Sequence, residues 1–134
     1  MKTLIVEDDF TSRIFLQGLL KEYGDSHIAI NGKEAVEAVK ISLENIDPYQ
    51  LICMDIEMPE MNGQEALIEI RKLEQKIGLE AGQGSKVIMT SSLNDSKNIL
   101  TAFKEMCDGY LIKPFSKRKL NEILVNIGLI SKNK

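Results

Sequence analysis

Short apolar runs alternate along the chain with longer segments in which apolar residues recur every three or four positions. The runs cover residues 2–6, 27–30, 51–54, 86–89 and 109–112. Runs such as LICM and KVIM lack the polar alternation of a half-exposed strand, which is typical of strands buried on both faces of a sheet. Five such strands, each followed by a helical segment, predict an α/β fold with a doubly wound parallel sheet.

The segments between the runs carry the periodicity and the end signals of helices. Apolar residues recur on one face from Phe10 to Leu19, and Asn31-Gly32 is a turn signal before the second helical segment. The helices are predicted at about 10–24, 32–45, 64–73, 94–103 and 116–128. Asn94 or Asp95 is the predicted cap of the fourth helix, and Ser116 that of the fifth.

Composition narrows the classes of protein that fit this pattern. The 134 residues suit one domain. The net charge of −3, with no basic stretch interleaved with aromatic residues, argues against nucleic acid as the main partner. Two cysteines are too few for a disulfide framework, and no apolar run has the length of a membrane span or a secretion signal. We therefore expect a cytoplasmic protein that does not bind membranes.

Polar and charged residues follow four of the five predicted strands. In an open parallel sheet, ligands bind beyond the carboxyl ends of the strands, where the strand order reverses. The residues delivered there are Glu7, Asp8 and Asp9 after the first strand, Asp55 and Glu57 after the third, Thr90, Ser91 and Ser92 at the fourth, and Lys113 and Pro114 after the fifth.

Carboxylates that meet at one edge repel each other unless a cation neutralises them. Mg²⁺ suits such a site because it binds a few carboxylates and retains water. A lysine and a hydroxyl complete the set of groups that phosphoryl transfer needs, since its catalysis is mostly positioning and charge neutralisation. The pattern therefore predicts a phosphoryl-transfer site.

Each residue also has an ordinary structural interpretation when it is taken alone. An Asp-Asp pair after a strand is often only a helix cap. Asp55 and Ser91 could be turn residues, and Lys113 could be a solvated lysine. The functional interpretation depends on the compatible chemistry at four strand ends in a fold that brings those ends together.

Three motifs resemble those of bacterial response-regulator receiver domains. They are VEDDF at 6–10, MDIEMPEMNG at 54–63 and YLIKPF at 110–115, and the resemblance extends from residue 2 to about residue 129. It implies a (βα)5 fold with strand order 2-1-3-4-5. It also implies that residues 1–134 form a single receiver domain without an output domain.

The resemblance implies a role for each site residue. Asp55 would be the phosphoacceptor, and Lys113, whose bond to Pro114 is commonly cis in this family, would pair with the phosphoryl oxygens. The Mg²⁺ ligands would be Asp8, Asp9, Asp55 and the backbone carbonyl of Glu57. The family places a switch hydroxyl 22 residues before the lysine, which selects Ser91, with Thr90 as the alternative. Tyr110 matches the aromatic switch residue, although it could equally be a strand residue at the sheet edge.

A receiver domain accepts a phosphoryl group from a phosphohistidine of a sensor kinase or phosphotransfer protein. It promotes only its own phosphorylation and dephosphorylation, so we do not expect an enzyme. The output would be a protein contact through the face of the fourth helix, fifth strand and fifth helix. The predicted residues of that face are Ile99, Phe103, Lys104, Lys117 and Asn121. A chemotaxis-type regulator, a phosphorelay intermediate and a kinase-controlling adaptor all fit, as a monomer or a weak phosphorylation-dependent dimer.

Other interpretations fit the sequence less well. A haloacid-dehalogenase-type phosphatase also uses Mg²⁺ and an aspartate nucleophile, but its nucleophile lies on the first strand. A flavodoxin-like protein would need a phosphate-binding loop after the first strand and aromatic residues to stack the flavin. A receiver that is never phosphorylated would not need the complete residue set.

Two further features depart from the receiver pattern or take no part in it. The stretch 74–85 is longer than is usual in the family, and we expect it to alter surface shape at the amino end of the sheet. His27, the single histidine, is predicted to be a partly buried strand residue and not a phosphodonor.

Overall fold

The computed structural model describes residues 1–80, 82–92 and 107–131. Its strands are β1 (Thr3–Val6), β2 (Ser26–Ala29), β3 (Leu51–Asp55), β4 (Lys86–Ser92) and β5 (Gly109–Lys113). They form one parallel sheet in the order β2-β1-β3-β4-β5. The predicted α/β fold and its strand order are therefore confirmed.

The described helices are α1 (Phe10–Leu20), α2 (Gly32–Glu44), α3 (Gly63–Lys76) and the C-terminal helix (Lys117–Asn126). Each follows a polar residue whose side chain accepts a hydrogen bond from a backbone N–H of the first turn, which stabilises the helix start. These caps are Asp9, Asn31, Asn62 and Ser116. The predicted cap at Ser116 is confirmed. The predicted helix from Asn94 or Asp95 to Phe103 lies outside the described residues.

The sheet is covered on both faces, as its continuous apolar runs predict. Successive residues of a strand point to opposite faces, and two core clusters follow from this alternation. One contains Leu4, Ile52 and Val87, and the other contains Ile5 and Ile88. Strands β1 and β3 are buried along their whole lengths. The acidic residues Glu7, Asp8 and Asp55 lie at the carboxyl ends of these two strands.

The third helix is longer than predicted, and buried polar contacts join its end to the residue just before β4. Helix α3 continues to Lys76, and Glu74 is a buried residue of that helix. Its Oε1 lies 2.8 Å from Arg71 Nη1, and its Oε2 accepts a hydrogen bond of 2.7 Å from Ser85 N. Arg71 also reaches Asp108 Oδ2 at 3.1 Å. The two ends of the stretch 74–85, Glu74 and Ser85, are therefore held by a buried polar network.

The structure corrects the prediction for His27. The residue is exposed on the edge strand β2. Its Nδ1 lies 2.7 Å from the hydroxyl oxygen of Tyr49, which is buried. The edge position explains the exposure, because none of the strands in the described ranges pairs with this side of β2. In the ranges that the structure describes, no helix is long and apolar enough to cross a membrane.

Candidate functional site

Three carboxylates meet where β1 and β3 end. Val6 pairs with Met54 in the sheet, so the residues that follow β1 lie beside the last residue of β3. One carboxylate oxygen each of Glu7, Asp8 and Asp55 lies within 4.8 Å of the others. Glu7 is fully buried, Asp55 is largely buried and Asp8 is exposed. We call these three residues the acid cluster.

Asp9, which the family resemblance placed in the cation site, is not part of the acid cluster. Its Oδ2 accepts a hydrogen bond of 2.8 Å from Ser12 N and caps α1. Hydrogen bonds from Ser12 also hold the pKa of Asp9 below its usual value. The structure thus shifts the acids that lie near Asp55 from Asp8 and Asp9 to Glu7 and Asp8. The sequence signal that supports this shift is the strand end at Val6, which makes Glu7 the first residue to leave the strand.

Lys113 neutralises part of the charge of the acid cluster. Its Nζ lies 2.8 Å from Glu7 Oε1 and 3.1 Å from Asp55 Oδ2. Burial raises the pKa of Glu7, although the hydrogen bond from Lys113 opposes this effect. Burial alone would lower the pKa of Lys113, but the hydrogen bond to Glu7 and the charge of Asp55 raise it. Lys113 is therefore a cation that two carboxylates share.

The side chain of Asp55 is held from two sides. Its Oδ1 accepts a hydrogen bond of 3.1 Å from Glu57 N, and its Oδ2 accepts one from Lys113. An open cleft of about 490 Å³ lies beside the acid cluster and is lined by Asp8, Glu57 and Asn62, among others. The donor set consists of oxygen atoms with an exposed carboxylate at the edge of a cleft. This is the chemistry that a hydrated Mg²⁺ ion prefers.

Both candidate switch residues lie near the end of β4, the strand that pairs with β3. Thr90 pairs with Asp55 in the sheet, Ser91 follows it, and both are buried. Ser91 Oγ donates a hydrogen bond of 3.3 Å to the carbonyl of Ser92. Thr90 Oγ1 is buried and has no hydrogen-bond partner among the described residues. The structure thus brings both hydroxyl residues to the strand end that carries the phosphoacceptor candidate.

The remaining predicted site residues lie in β5, directly after it, or in the loop after β3. Tyr110 is about one-third exposed. The Lys113–Pro114 bond is cis, as the family resemblance implies. Glu57 follows Asp55 in the loop after β3. The predicted site residues therefore lie in β3–β5 or in the segments that follow β1 and β3, and among them Asp9 is the cap of α1.

The family model described as the response regulator receiver domain matches residues 3–125. The chain belongs to this family, whose fold and acidic strand-end site it shares. It is a phosphoacceptor switch of the two-component type. The family match does not support the alternative of a haloacid-dehalogenase-type phosphatase.

The similar proteins include both single-domain regulators and kinase-linked receivers. The chemotaxis protein CheY of Thermotoga maritima is 31% identical over 125 residues, with 92% of this chain and 93% of that protein covered. The probable histidine kinase 5 of Oryza sativa is 33% identical over 87% of this chain, which spans 11% of that protein. The receiver domain of the histidine kinase CKI1 from Arabidopsis thaliana, solved with Mg²⁺, has a TM-score of 0.81 and 31% identity. That comparison covers 94% of this chain and 90% of the solved one.

Proposed function

We propose that Asp55 accepts a phosphoryl group from a phosphohistidine on a sensor kinase or a phosphotransfer protein. The observation that carries this proposal is the position of Asp55. One of its carboxylate oxygens lies 3.1 Å from Lys113 Nζ, and its carboxylate lies within 4.8 Å of those of Glu7 and Asp8. The arrangement supplies a nucleophile, a fixed cation and oxygen ligands for a second cation at one strand end.

We propose that Mg²⁺ is held by Asp8 and Asp55, with Glu7 as the third acid and the backbone carbonyl of Glu57 as a further ligand. Asp9 is left out of this ligand set because its carboxylate caps α1. When bound, the ion neutralises charge on the transferring phosphoryl oxygens. The similar CKI1 receiver domain was solved with Mg²⁺, which supports the choice of this ion.

The chain's own residues carry out the transfer by positioning and charge. One oxygen of Asp55 forms a bond to phosphorus while the bond from phosphorus to the donor imidazole nitrogen breaks. The imidazole keeps the electron pair and takes a proton from solvent. Lys113, which already contacts Asp55, would pair with the phosphoryl oxygens of the product. The hydrogen bond from Glu57 N holds the carboxylate in its orientation.

We propose that the phosphorylated form then signals by protein contact and has no turnover of external substrates. A phosphoryl group offers new acceptors to Lys113 and to a switch hydroxyl, and only such differential contacts shift a conformational equilibrium. Ser91 is the proposed switch hydroxyl and Tyr110 the proposed aromatic switch. Thr90 is the second candidate hydroxyl because its Oγ1 is buried without a partner in the described residues.

Two residues of the predicted partner face, Lys117 and Asn121, make contacts within the chain. Lys117 Nζ lies 2.5 Å from Glu22 Oε1, and Asn121 Oδ1 accepts a hydrogen bond of 2.8 Å from the hydroxyl of Tyr23. These two residues of the C-terminal helix therefore contact the segment that follows α1. The predicted face residues Ile99, Phe103 and Lys104 lie outside the described residues. The partner face, the single-domain organisation and the cytoplasmic location stay predictions.

Incubation with acetyl phosphate and Mg²⁺, followed by intact mass measurement, tests the phosphoacceptor. A gain of about 80 Da, the mass of one phosphoryl group, is expected for the wild type and not for Asp55→Asn. An adduct of the same mass on Asp55→Asn would show that another residue is modified. Steady turnover of a generic aryl phosphate would instead favour a phosphatase.

The two hydroxyl candidates are separated by paired variants. Ser91→Ala and Thr90→Val each remove one hydroxyl and keep a small or isosteric side chain. The variant that lacks the switch hydroxyl is expected to accept the phosphoryl group more slowly and to lose the conformational response. Mass spectrometry gives the first quantity, and the amide spectrum with and without beryllofluoride gives the second. A loss in Thr90→Val alone would replace Ser91 by Thr90.

A further inference from the structure

The loop between β3 and α3, residues 56–62, is fastened by two glycines that each begin a helix. Gly63, the first residue of α3, donates its N–H to the carbonyl of Ile56 at 2.8 Å. Gly32, the first residue of α2, donates its N–H to the carbonyl of Met61 at 3.1 Å. The loop that carries Glu57 is thus tied to its own helix and to a helix from another part of the chain.

Space, and not backbone conformation, explains why Gly32 is a glycine. Its φ is not positive, so an alanine could adopt the same backbone angles. A Cβ at this position would collide with the carbonyl oxygen of Met61 and lie 2.8 and 2.9 Å from two of its side-chain carbons. Glycine in a helix costs stability relative to alanine. Glycine at position 32 thus lowers the stability of α2 relative to alanine, but it allows the helix to approach the loop closely.

A second contact fastens the same side of the loop. Asn31 Nδ2 donates a hydrogen bond of 3.1 Å to Glu60 Oε2, while Asn31 Oδ1 caps α2 by accepting from Glu34 N at 2.8 Å. Glu60 has a φ of 67°, an uncommon conformation for a residue other than glycine. The start of α2 thus contacts two consecutive residues of the loop, Glu60 and Met61.

We propose that Gly32 is a positioning residue for the cation site. By allowing α2 to approach Met61, it holds the loop with Glu57 at the distance from Asp8 and Asp55 that cation binding requires. The proposal rests on the proposed function, because it assumes that Mg²⁺ binds at the acid cluster. Gly32 itself touches neither the cation nor the phosphoryl group.

The test compares Mg²⁺ binding in Gly32→Ala with that in two matched variants. Gly18→Ala adds the same methyl group to α1, where nothing lies within 4 Å. Glu34→Ala weakens the start of α2 by removing the acceptor of the Ile30 N–H, without touching the loop. Mg²⁺ titrations followed by the amide resonances of Glu57 give the dissociation constants. Thermal melts without metal give the structural cost of each change.

Gly32→Ala is expected to raise the Mg²⁺ dissociation constant by about tenfold, as substitutions outside the ligand shell commonly do. Its amide resonance of Glu57 should also shift in the absence of metal. Gly18→Ala and Glu34→Ala should bind within about twofold of the wild type, whatever their melting temperatures. A folded Gly32→Ala protein that binds Mg²⁺ as tightly as Gly18→Ala would overturn the proposal.

A second variant decides the matter even if Gly32→Ala does not fold. Asn31→Asp keeps the helix cap, since the two residues cap equally well, but it replaces the hydrogen bond to Glu60 by repulsion. An added negative charge alone should tighten Mg²⁺ binding, whereas displacement of the loop should weaken it by about twofold. Tighter or unchanged binding would refute the positioning role. Absence of Mg²⁺ binding in the wild type would refute the proposed function instead.

Discussion

The sharpest test of the proposed Mg²⁺ site asks which acid next to Asp8 in the sequence, Glu7 or Asp9, contributes to Mg²⁺ binding. The family motif suggested Asp9, whereas the structure places Glu7 in the acid cluster. Glu7→Gln removes the charge of the buried carboxylate and keeps its size. Asp9→Asn removes a charge two residues away and preserves the cap of α1, because asparagine and aspartate cap helices equally well. The two substitutions therefore separate the two assignments without a large change in structure.

The expected loss of affinity follows from the size of the acid cluster. Its carboxylate oxygens lie within 4.8 Å of one another. For a divalent ion about 4 Å from Glu7, the lost attraction is about 2 kcal/mol even at the dielectric constant of water. This corresponds to an increase of about thirtyfold in the dissociation constant. Lys113, released from Glu7, would also turn towards Asp55 and add to the loss.

Asp9 should have a much smaller effect. It is exposed and lies outside the acid cluster, so salt at physiological strength screens its charge. Asp9→Asn is therefore expected to change Mg²⁺ affinity by less than about threefold. Amide chemical shifts recorded during a Mg²⁺ titration give the dissociation constants of all the variants, with Asp8→Asn as the positive control. Weak binding by Asp9→Asn together with normal binding by Glu7→Gln would refute the reasoning and restore the motif-based pair.

Three further predictions concern stability. Burial raises the pKa of Glu7 above its unfolded value of about 4.5, so the folded state loses stability as the pH rises through the folded pKa. In metal-free buffer, the melting temperature of Glu7→Gln relative to that of the wild type should therefore increase between pH 4.5 and 7. A difference that stays constant over this range would contradict the prediction. Arg71→Met should lower the free energy of unfolding in urea by about 3 kcal/mol because it leaves the buried carboxylate of Glu74 without its cation. Lys72→Met removes an exposed ion pair and should cost less than about 1 kcal/mol. Equal effects of the two substitutions would contradict this prediction. Ile46 is 90% exposed and has a φ of 54°, a conformation that favours glycine, so Ile46→Gly should raise the free energy of unfolding by about 1 kcal/mol. Ile77→Gly, at a φ of −97°, should lower the free energy of unfolding. A lower free energy of unfolding in both variants would show that Ile46 is not strained.

Much of the fold could be predicted because the determining signals are local. The apolar runs of β3 and β4 define strands that are buried on both faces, and the cap at Ser116 fixes the start of the C-terminal helix. The strand order came from the family resemblance, because apolar periodicity does not determine which strands are neighbours. Lys113 and Asp55 were predicted to meet because each ends a strand, and their separation of 3.1 Å agrees with this.

The structure differs from the sequence predictions where two roles compete for similar residues. Glu7, Asp8 and Asp9 are consecutive acids, and sequence spacing alone does not say which of them caps α1. The hydrogen bond from Ser12 N to Asp9 decides the question, and it depends on where the helix begins. His27 is similar, because its exposure follows from the edge position of β2. Glu74 was placed after the third helix because the apolar periodicity ends at about Leu73, whereas α3 continues to Lys76 and the guanidinium of Arg71 stabilises Glu74 in the interior.

Two of the buried carboxylates among the described residues, Glu74 and Glu7, are paired with different kinds of cation. At the amino end of the sheet, the planar guanidinium of Arg71 bonds to Glu74, Asp108 and the carbonyl of Ser85, which come from three segments. Such a fixed fork loses several bonds at once if it moves. At the carboxyl end, Glu7 is paired with Lys113, whose ammonium group sits on a flexible stem. In the proposed function, Lys113 would exchange a carboxylate for a phosphoryl oxygen by a small rotation. The contacts of Arg71 would meanwhile hold the other end of the sheet together.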